Sequence, residues 1–193
     1  MMNKRISLTM QAHLVIQQYL KAGGVAVDAT VGNGHDTLFI AQQVGPTGKV
    51  FGFDIQQQAI ESTQTRLNNT NIANNTQLFH TSHINIEKHL GTDFGGKINV
   101  IMFNLGYLPG SDKSIITQAE STLSALNQAI SLLAKSGVIT IAAYPGHPGG
   151  DKETGAIKVW HKQLATDKYR LKTIYSANKE TAPRLYIIQK LTE

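Results

Sequence analysis

Near the start of the chain, "VDATVGNGHDTLFIA" (residues 27–41) closes an apolar run on Asp28, breaks at Gly32 and Gly34, and resumes with helical apolar spacing. Glycines two apart allow positive φ and a close backbone approach, and the helix that follows offers unpaired N–H groups at its N-terminus. A nucleotide-like ligand suits such a turn. From Gly32 the order is Gly-Asn-Gly-His-Asp-Thr, so Thr37 stands where the dinucleotide fingerprint has its third glycine. Asp36 places a carboxylate where a pyrophosphate would lie, and repulsion there disfavours NAD. Taken alone, a glycine pair also reads as an ordinary tight turn.

A cationic, phosphate-free nucleoside fits these residues better. S-adenosylmethionine is one, with its sulfonium, ammonium group and ribose diol. Asp54 ends the next apolar run, "VFGFDIQ", twenty residues after Gly34, where an acid can accept both ribose hydroxyls. Asp28 can orient the glycine turn or reach the ammonium group through water, and His83, in "HTSHIN", can contact the adenine. Further on, "KINVIMF" leads into "NLGYLPG", where Asn104 offers an amide oxygen and Tyr107 an aromatic face to a base.

Those groups suit methyl transfer to an amine, because acceptors align the nitrogen lone pair with the sulfur–methyl axis and alignment supplies most of the acceleration. An alkylammonium acceptor must first lose a proton, and asparagine is no base, so a base or a water path is required. The alternative is that "NLGYLPG" is only a strand-to-helix turn with Tyr107 packed on it. In "AAYPGHPGGDKE", Tyr144 and His147 sit on a shaped loop where they can cover a substrate; His147 is a candidate base or a plain surface residue. His13, His35 and His161 carry no assignment, Trp160 reads as core, and no histidine spacing reads as a metal site.

These groups are useful only if strands bring them to one sheet edge. Apolar and β-branched runs predict strands near 25–29, 50–54, 77–80, 99–104 and 138–143. Amphipathic segments predict helices near 9–22, 36–44, 57–68, 84–89, 116–135 and 152–164. In the fifth of these, Ala119, Leu123, Leu126, Ile130 and Leu133 recur at three- and four-residue spacing, with Gly137 as the stop. The alternation predicts parallel pairing through crossovers, hence a doubly wound, Rossmann-like α/β sheet. "YRLKTIYSA" and "PRLYIIQKL", joined by a short polar link, predict an antiparallel pair at the end of that sheet.

At 193 residues, 41% hydrophobic and 16% charged, the chain suits one domain over residues 1–193. It has no cysteine for a disulfide, a thiolate metal site or a nucleophile, which fits a cytoplasmic protein. No apolar run is long enough to cross a bilayer. The net charge of +5 is uneven: residues 1–150 carry nine Lys/Arg against eight Asp/Glu, and residues 151–193 nine against five. There Lys158, Lys162, Lys168, Arg170 and Lys172 can attract phosphates, or simply solvate a helix face and a strand edge.

Together and in this order, "DATVGNGHDT", "FDIQ", "NLGYLPGSDKSIIT" and "YPGHPGG" resemble the motifs of small bacterial methyltransferases long labelled rRNA methylases, over essentially the whole chain. The resemblance implies a class I methyltransferase fold, a seven-stranded and mostly parallel sheet with the last strand antiparallel, and S-adenosyl-L-methionine as cofactor. Characterised members methylate 5-aminomethyl-2-thiouridine at the tRNA wobble position, giving the 5-methylaminomethyl form. By position, the resemblance implies a cofactor loop of Asp28, Gly32, Asn33, Gly34, Asp36 and Thr37, a ribose acid Asp54 with Gln56 beside it, and Ser82 and His83 at the adenine. Asn104 and Leu105 would face the methyl group and, with Tyr107, form the catalytic set; Tyr107, Lys113, Tyr144 and His147 would contact the substrate.

The resemblance also implies a homodimer. With no appended RNA-binding domain recognisable, the catalytic domain would grip the tRNA anticodon region itself. Competing readings are a methyltransferase for an rRNA base or a small amine, and a noncatalytic S-adenosylmethionine- or RNA-binding module. The intact "NLGYLPG" speaks against the last, since a pure binder needs no acceptor at the methyl group.

Overall fold

The β-branched and apolar runs become seven strands in a computed structural model that describes residues 6–70, 72–107, 116–177 and 181–192. They are β1 Val25–Asp28, β2 Lys49–Asp54, β3 Thr76–His80, β4 Ile98–Asn104, β5 Leu133–Ala143, β6 Tyr169–Tyr175 and β7 Arg184–Lys190. Their order is β3-β2-β1-β4-β5-β7-β6. Strands β1 to β5 pair in parallel, and β7 runs antiparallel to both β5 and β6. The expected antiparallel pair closes the sheet, with β7 between β5 and the edge strand β6.

Helices α1 Leu8–Tyr19, α2 His35–Val44 and α3 Gln57–Asn68 cover one face; α4 Ile86–Leu90, α5 Ala119–Leu132 and α6 Gly150–Gln163 cover the other. Successive strand residues point to opposite faces. Val100 and Met102 accordingly join the layer containing Ile16 and Ile40, while Ile101 and Phe103 join the layer containing Leu126 and Ile157. Strands buried on both faces read as continuous apolar runs, which is why β4 shows no polar alternation. Among the described residues no helix is long and apolar enough to cross a membrane.

Helices α1 and α5 are shorter than the sequence reading. Helix α1 starts where the Ser7 hydroxyl accepts the Met10 N–H at 3.1 Å, and it ends at Tyr19, with Leu20 already extended, before the Gly23-Gly24 pair. Helix α5 is shorter at both ends than 116–135. Ile116 bridges Tyr107 instead, and Leu133 already pairs with Ile98 as part of β5. The register then jumps to Val100 and Val138, so the segment holding Ser136 (φ +61) and Gly137 is a bulge in β5. Gly137 is needed there for close approach rather than as a helix stop: a Cβ would lie 3.0 Å from the carbonyl oxygens of Ala134 and Asn99.

The strand order reverses between β1 and β4, and a crevice opens at their carboxyl ends. The turn after β1 lies on β2, where the Val31 N–H donates to the Phe53 carbonyl at 3.1 Å. Gly52 makes that approach possible, since a Cβ would stand 2.6 Å from Val31 Cγ2 and 2.7 Å from Leu78 Cδ2. Gly52→Val should therefore cost about 1–3 kcal/mol through overpacking. Urea unfolding measures this; a loss under about 0.5 kcal/mol would mean the two side chains give way freely.

Candidate active site

Asp28 ends β1 fully buried. The Thr37 hydroxyl donates to one of its oxygens at 2.6 Å and the Thr30 N–H to the other at 3.2 Å. Removal from water, and then the nearby Asp36 carboxylate, push its pKa from 3.8 up to about 7 against the opposing effect of those hydrogen bonds. Thr37, where a dinucleotide site has glycine, thus satisfies a buried acid.

The turn itself holds Gly32 at φ +54 and Gly34 at φ +77. A Cβ on Gly34 would lie 2.5 Å from Thr63 Oγ1 and 2.9 Å from Thr63 Cα, so α3 presses directly on the turn. From α3, the Thr63 hydroxyl donates to the Gly32 carbonyl at 3.1 Å, and Arg66 Nε donates to the Asn33 carbonyl at 2.9 Å.

A cavity of about 730 Å³ opens above these elements, a size that suits a small-molecule ligand. Of the residues singled out from sequence, Gly32, Asn33, Asp36, Asp54, Gln56, Ser82, His83, Asn104, Leu105, Tyr107, Tyr144 and His147 line it. Asp28, Gly34 and Thr37 stand behind its wall and hold the turn. Lys113 lies outside the described residues.

Asp54, at the end of β2, accepts the Gly32 N–H and the Gln56 N–H at 2.9 Å each, one on either oxygen. Each oxygen keeps a second lone pair, so the carboxylate is aimed yet able to accept two more hydroxyls. Ser82 caps a single helical turn by accepting the Ile84 N–H at 3.3 Å. Burial lowers the His83 pKa to about 4, so the imidazole is neutral, and its Nε2 has no partner among the described residues.

At the end of β4 the Asn104 N–H donates to Thr30 Oγ1 at 2.7 Å, and its Nδ2 donates to Asp36 Oδ2 at 3.1 Å. The other Asp36 oxygen is 2.7 Å from His13 Nε2, and the His13 ring stacks on Phe39 at 3.8 Å. Beyond Leu105, Gly106 donates to the Thr117 hydroxyl and accepts from the Thr117 N–H, both at 3.0 Å. That hydroxyl donates in turn to Glu153 Oε2 at 2.8 Å, and the buried Thr122 donates to Oε1 at 2.6 Å. The buried Glu153 thereby fixes both ends of the segment that starts at Tyr107.

Tyr107 is exposed, with its ring edge-on to His147 at 6.1 Å. His147 Nδ1 donates to the Pro148 carbonyl at 3.0 Å, which leaves the lone pair on Nε2. That nitrogen is buried and unpartnered; ideal Cβ positions on Gly150 and Gly106 would lie 2.9 and 3.7 Å from it. A base role would require the ring to turn. Tyr144 hydrogen-bonds Thr9 of α1, and burial raises its phenol pKa.

Sequence reasoning missed Thr63, Arg66, His13, Thr117 and Glu153. Thr117 closes "NLGYLPGSDKSIIT" and Glu153 closes "AAYPGHPGGDKE", which is the signal they carried; the others act across contacts between separate elements. Among the described residues no group of three His, Cys, Asp or Glu side chains could hold a metal.

The seven-stranded sheet in this order, with a glycine turn after β1 and an acid ending β2, has the class I methyltransferase fold. Residues 50–190 match the family described as "Putative rRNA methylase", and the chain belongs to that family. It is 34% identical, over 96% of its length and 70% of the relative's, to the tRNA (mnm(5)s(2)U34)-methyltransferase, chloroplastic, of Arabidopsis thaliana. A Clostridium thermocellum protein described in the family's words superposes with TM-score 0.90 at 37% identity, covering 96% of this chain and 99% of that one. A Streptococcus mutans protein described as a methyltransferase, in complex with SAH, superposes with TM-score 0.84 at 34% identity, again over 96% and 99%.

Asp28 gives the stability of the fold a distinct pH signature. Its raised pKa means that folding favours the protonated acid, a contribution fully present below pH 3.8 and lost as pH rises through about 7. Relative to Asp28→Asn, the native chain should lose about 2–3 kcal/mol of stability between about pH 5 and 8. Urea titrations of both proteins across that range test it, and parallel profiles would show that Asp28 is ionised throughout.

Proposed function

We propose that this methyltransferase moves the methyl group of S-adenosyl-L-methionine to the amine of 5-aminomethyl-2-thiouridine at the tRNA wobble position, giving 5-methylaminomethyl-2-thiouridine. The observation that carries the substrate is the 34% identity over 96% of the chain to a tRNA (mnm(5)s(2)U34)-methyltransferase. The cleft suits the chemistry. Bound there, S-adenosylmethionine supplies an electrophilic methyl group on a sulfonium.

The residues around it divide the work. The unused lone pairs of Asp54 accept the ribose hydroxyls, and Ser82 and His83, which line the cavity, flank the adenine. The Asn33 and Gly32 backbone shapes the turn beneath. At the other end, the Asn104 amide turns its NH₂ toward Asp36, which directs its oxygen to an N–H of the acceptor amine. Leu105 backs the methyl group, while Tyr107, Tyr144 and His147 flank the base. Rate enhancement comes mainly from alignment of nitrogen, methyl and sulfur. We further take the chain to act as a single-domain, cytoplasmic homodimer. The exposed Met10 and Leu14, four residues apart on α1, with Ile6 exposed just before the helix, support a dimer, and the basic residues of α6 and β6 support phosphate contact.

The direct test uses labelled S-adenosylmethionine and tRNA carrying 5-aminomethyl-2-thiouridine, with nucleosides identified by mass spectrometry after digestion. Conversion to the 5-methylaminomethyl form is expected; cofactor binding without a tRNA product would overturn the reading. Asp54→Ala should weaken S-adenosylmethionine binding about 10- to 100-fold, as the ribose hydroxyls lose a charged acceptor. Unchanged affinity by calorimetry would remove Asp54 from the ribose site.

A further inference from the structure

We infer that His13 and Asp36 are positioning residues that lock the Asn104 amide in one of its two orientations, so that the methyl site presents an acceptor oxygen and selects a nucleophile bearing an N–H. This rests on the reading of Asn104 as the residue at the methyl group.

An asparagine amide has a carbonyl and an NH₂ of nearly equal size, and turning it over exchanges an acceptor for a donor. The backbone of Asn104 is already fixed, since its N–H is held by Thr30 at 2.7 Å and the next N–H, of Leu105, by the Ala142 carbonyl at 2.9 Å. Rotation of the amide is therefore the remaining freedom. Asp36 removes it, because an ionised carboxylate only accepts and so draws the NH₂ end to 3.1 Å. A flipped amide would set two oxygens against each other and offer the cleft a donor, suited to a ring nitrogen or carbonyl rather than an amine.

Asp36 itself would be free to swing were its second oxygen unheld. His13 holds it at 2.7 Å, a length typical of a charge-assisted bond, and the imidazole is held in turn by parallel stacking on Phe39, one helical turn beyond Asp36. The two side chains are only 17% and 10% exposed, so water competes little for these bonds. Helix α1 thus reaches α2 across 23 positions in sequence, and α2 reaches one rotamer of a β4 residue across 68.

Single-turnover methyl transfer to tRNA bearing 5-aminomethyl-2-thiouridine tests this with four variants. His13→Gln keeps a donor for Asp36; His13→Leu keeps bulk on Phe39 without one, and His13→Phe takes that place should the leucine variant not fold. Asn104→Ala removes the amide, and His13→Leu/Asn104→Ala completes a cycle. His13→Leu should slow transfer about 10- to 100-fold while leaving cofactor and tRNA affinities within about twofold. His13→Gln should recover most of the rate, and His13→Leu should add nothing to Asn104→Ala. Equal rates for the leucine and glutamine variants, affinity lost in step with rate, or losses that multiply in the double variant would overturn the proposal while Asn104 keeps its role. Wild-type transfer by Asn104→Ala would overturn the reading of Asn104 and the proposal with it.

Discussion

At the end of β1 the buried Asp28 carboxylate takes the Thr37 hydroxyl at 2.6 Å and the Thr30 N–H at 3.2 Å, and so ties the strand to both sides of the glycine turn. The positions of the other strand ends follow from that clamp. Thr30, held by Asp28, accepts the Asn104 N–H and thereby registers the end of β4. Gly32, two residues on, donates to Asp54 and registers the end of β2. Thr37 lies in the first turn of α2 with Asp36 beside it, aimed at Asn104. One short turn thus sets the spacing between Asp54 and Asn104 across the cleft. Thr63 and Arg66 of α3 brace it from outside by donating to the Gly32 and Asn33 carbonyls.

Much of this architecture is legible in the sequence because it depends on local periodicity. The strand runs, the glycine turn and the terminal acids Asp28 and Asp54 are each visible within a dozen residues, and alternation of strand with helix is enough to predict parallel pairing. The start of β5 is not visible, because "ALNQAISLLAKSG" keeps helical apolar spacing through Leu133. What ends α5 is tertiary: Leu133 finds Ile98 as a strand partner, and the bulge at Ser136 and Gly137 absorbs the mismatch in register. The site divides in the same way. Groups that face the ligand sit in recognisable motifs, whereas His13, Thr63, Arg66 and Glu153 act on those groups from other elements. A histidine in "AHLVI" or a glutamate in the first turn of a helix has no local pattern that marks it as the support of another residue's rotamer.

The electrostatics of the cleft explain why a fold shared with phosphate-binding sites takes a cation here. Three carboxylates, Asp28, Asp36 and Asp54, converge on the turn, and the last two each help to raise the pKa of the first. Like charges partly removed from water disfavour the empty site, so a positive ligand gains by entering and a pyrophosphate would lose. The same Asp36 that repels phosphate spends both oxygens on His13 and Asn104, so its charge stays in place while its direction is fixed. Methyl transfer changes this balance, because the sulfonium becomes a neutral thioether as its methyl group leaves. The Coulomb attraction that favours the charged donor is then absent for the spent one, so the same carboxylates favour fresh cofactor over spent.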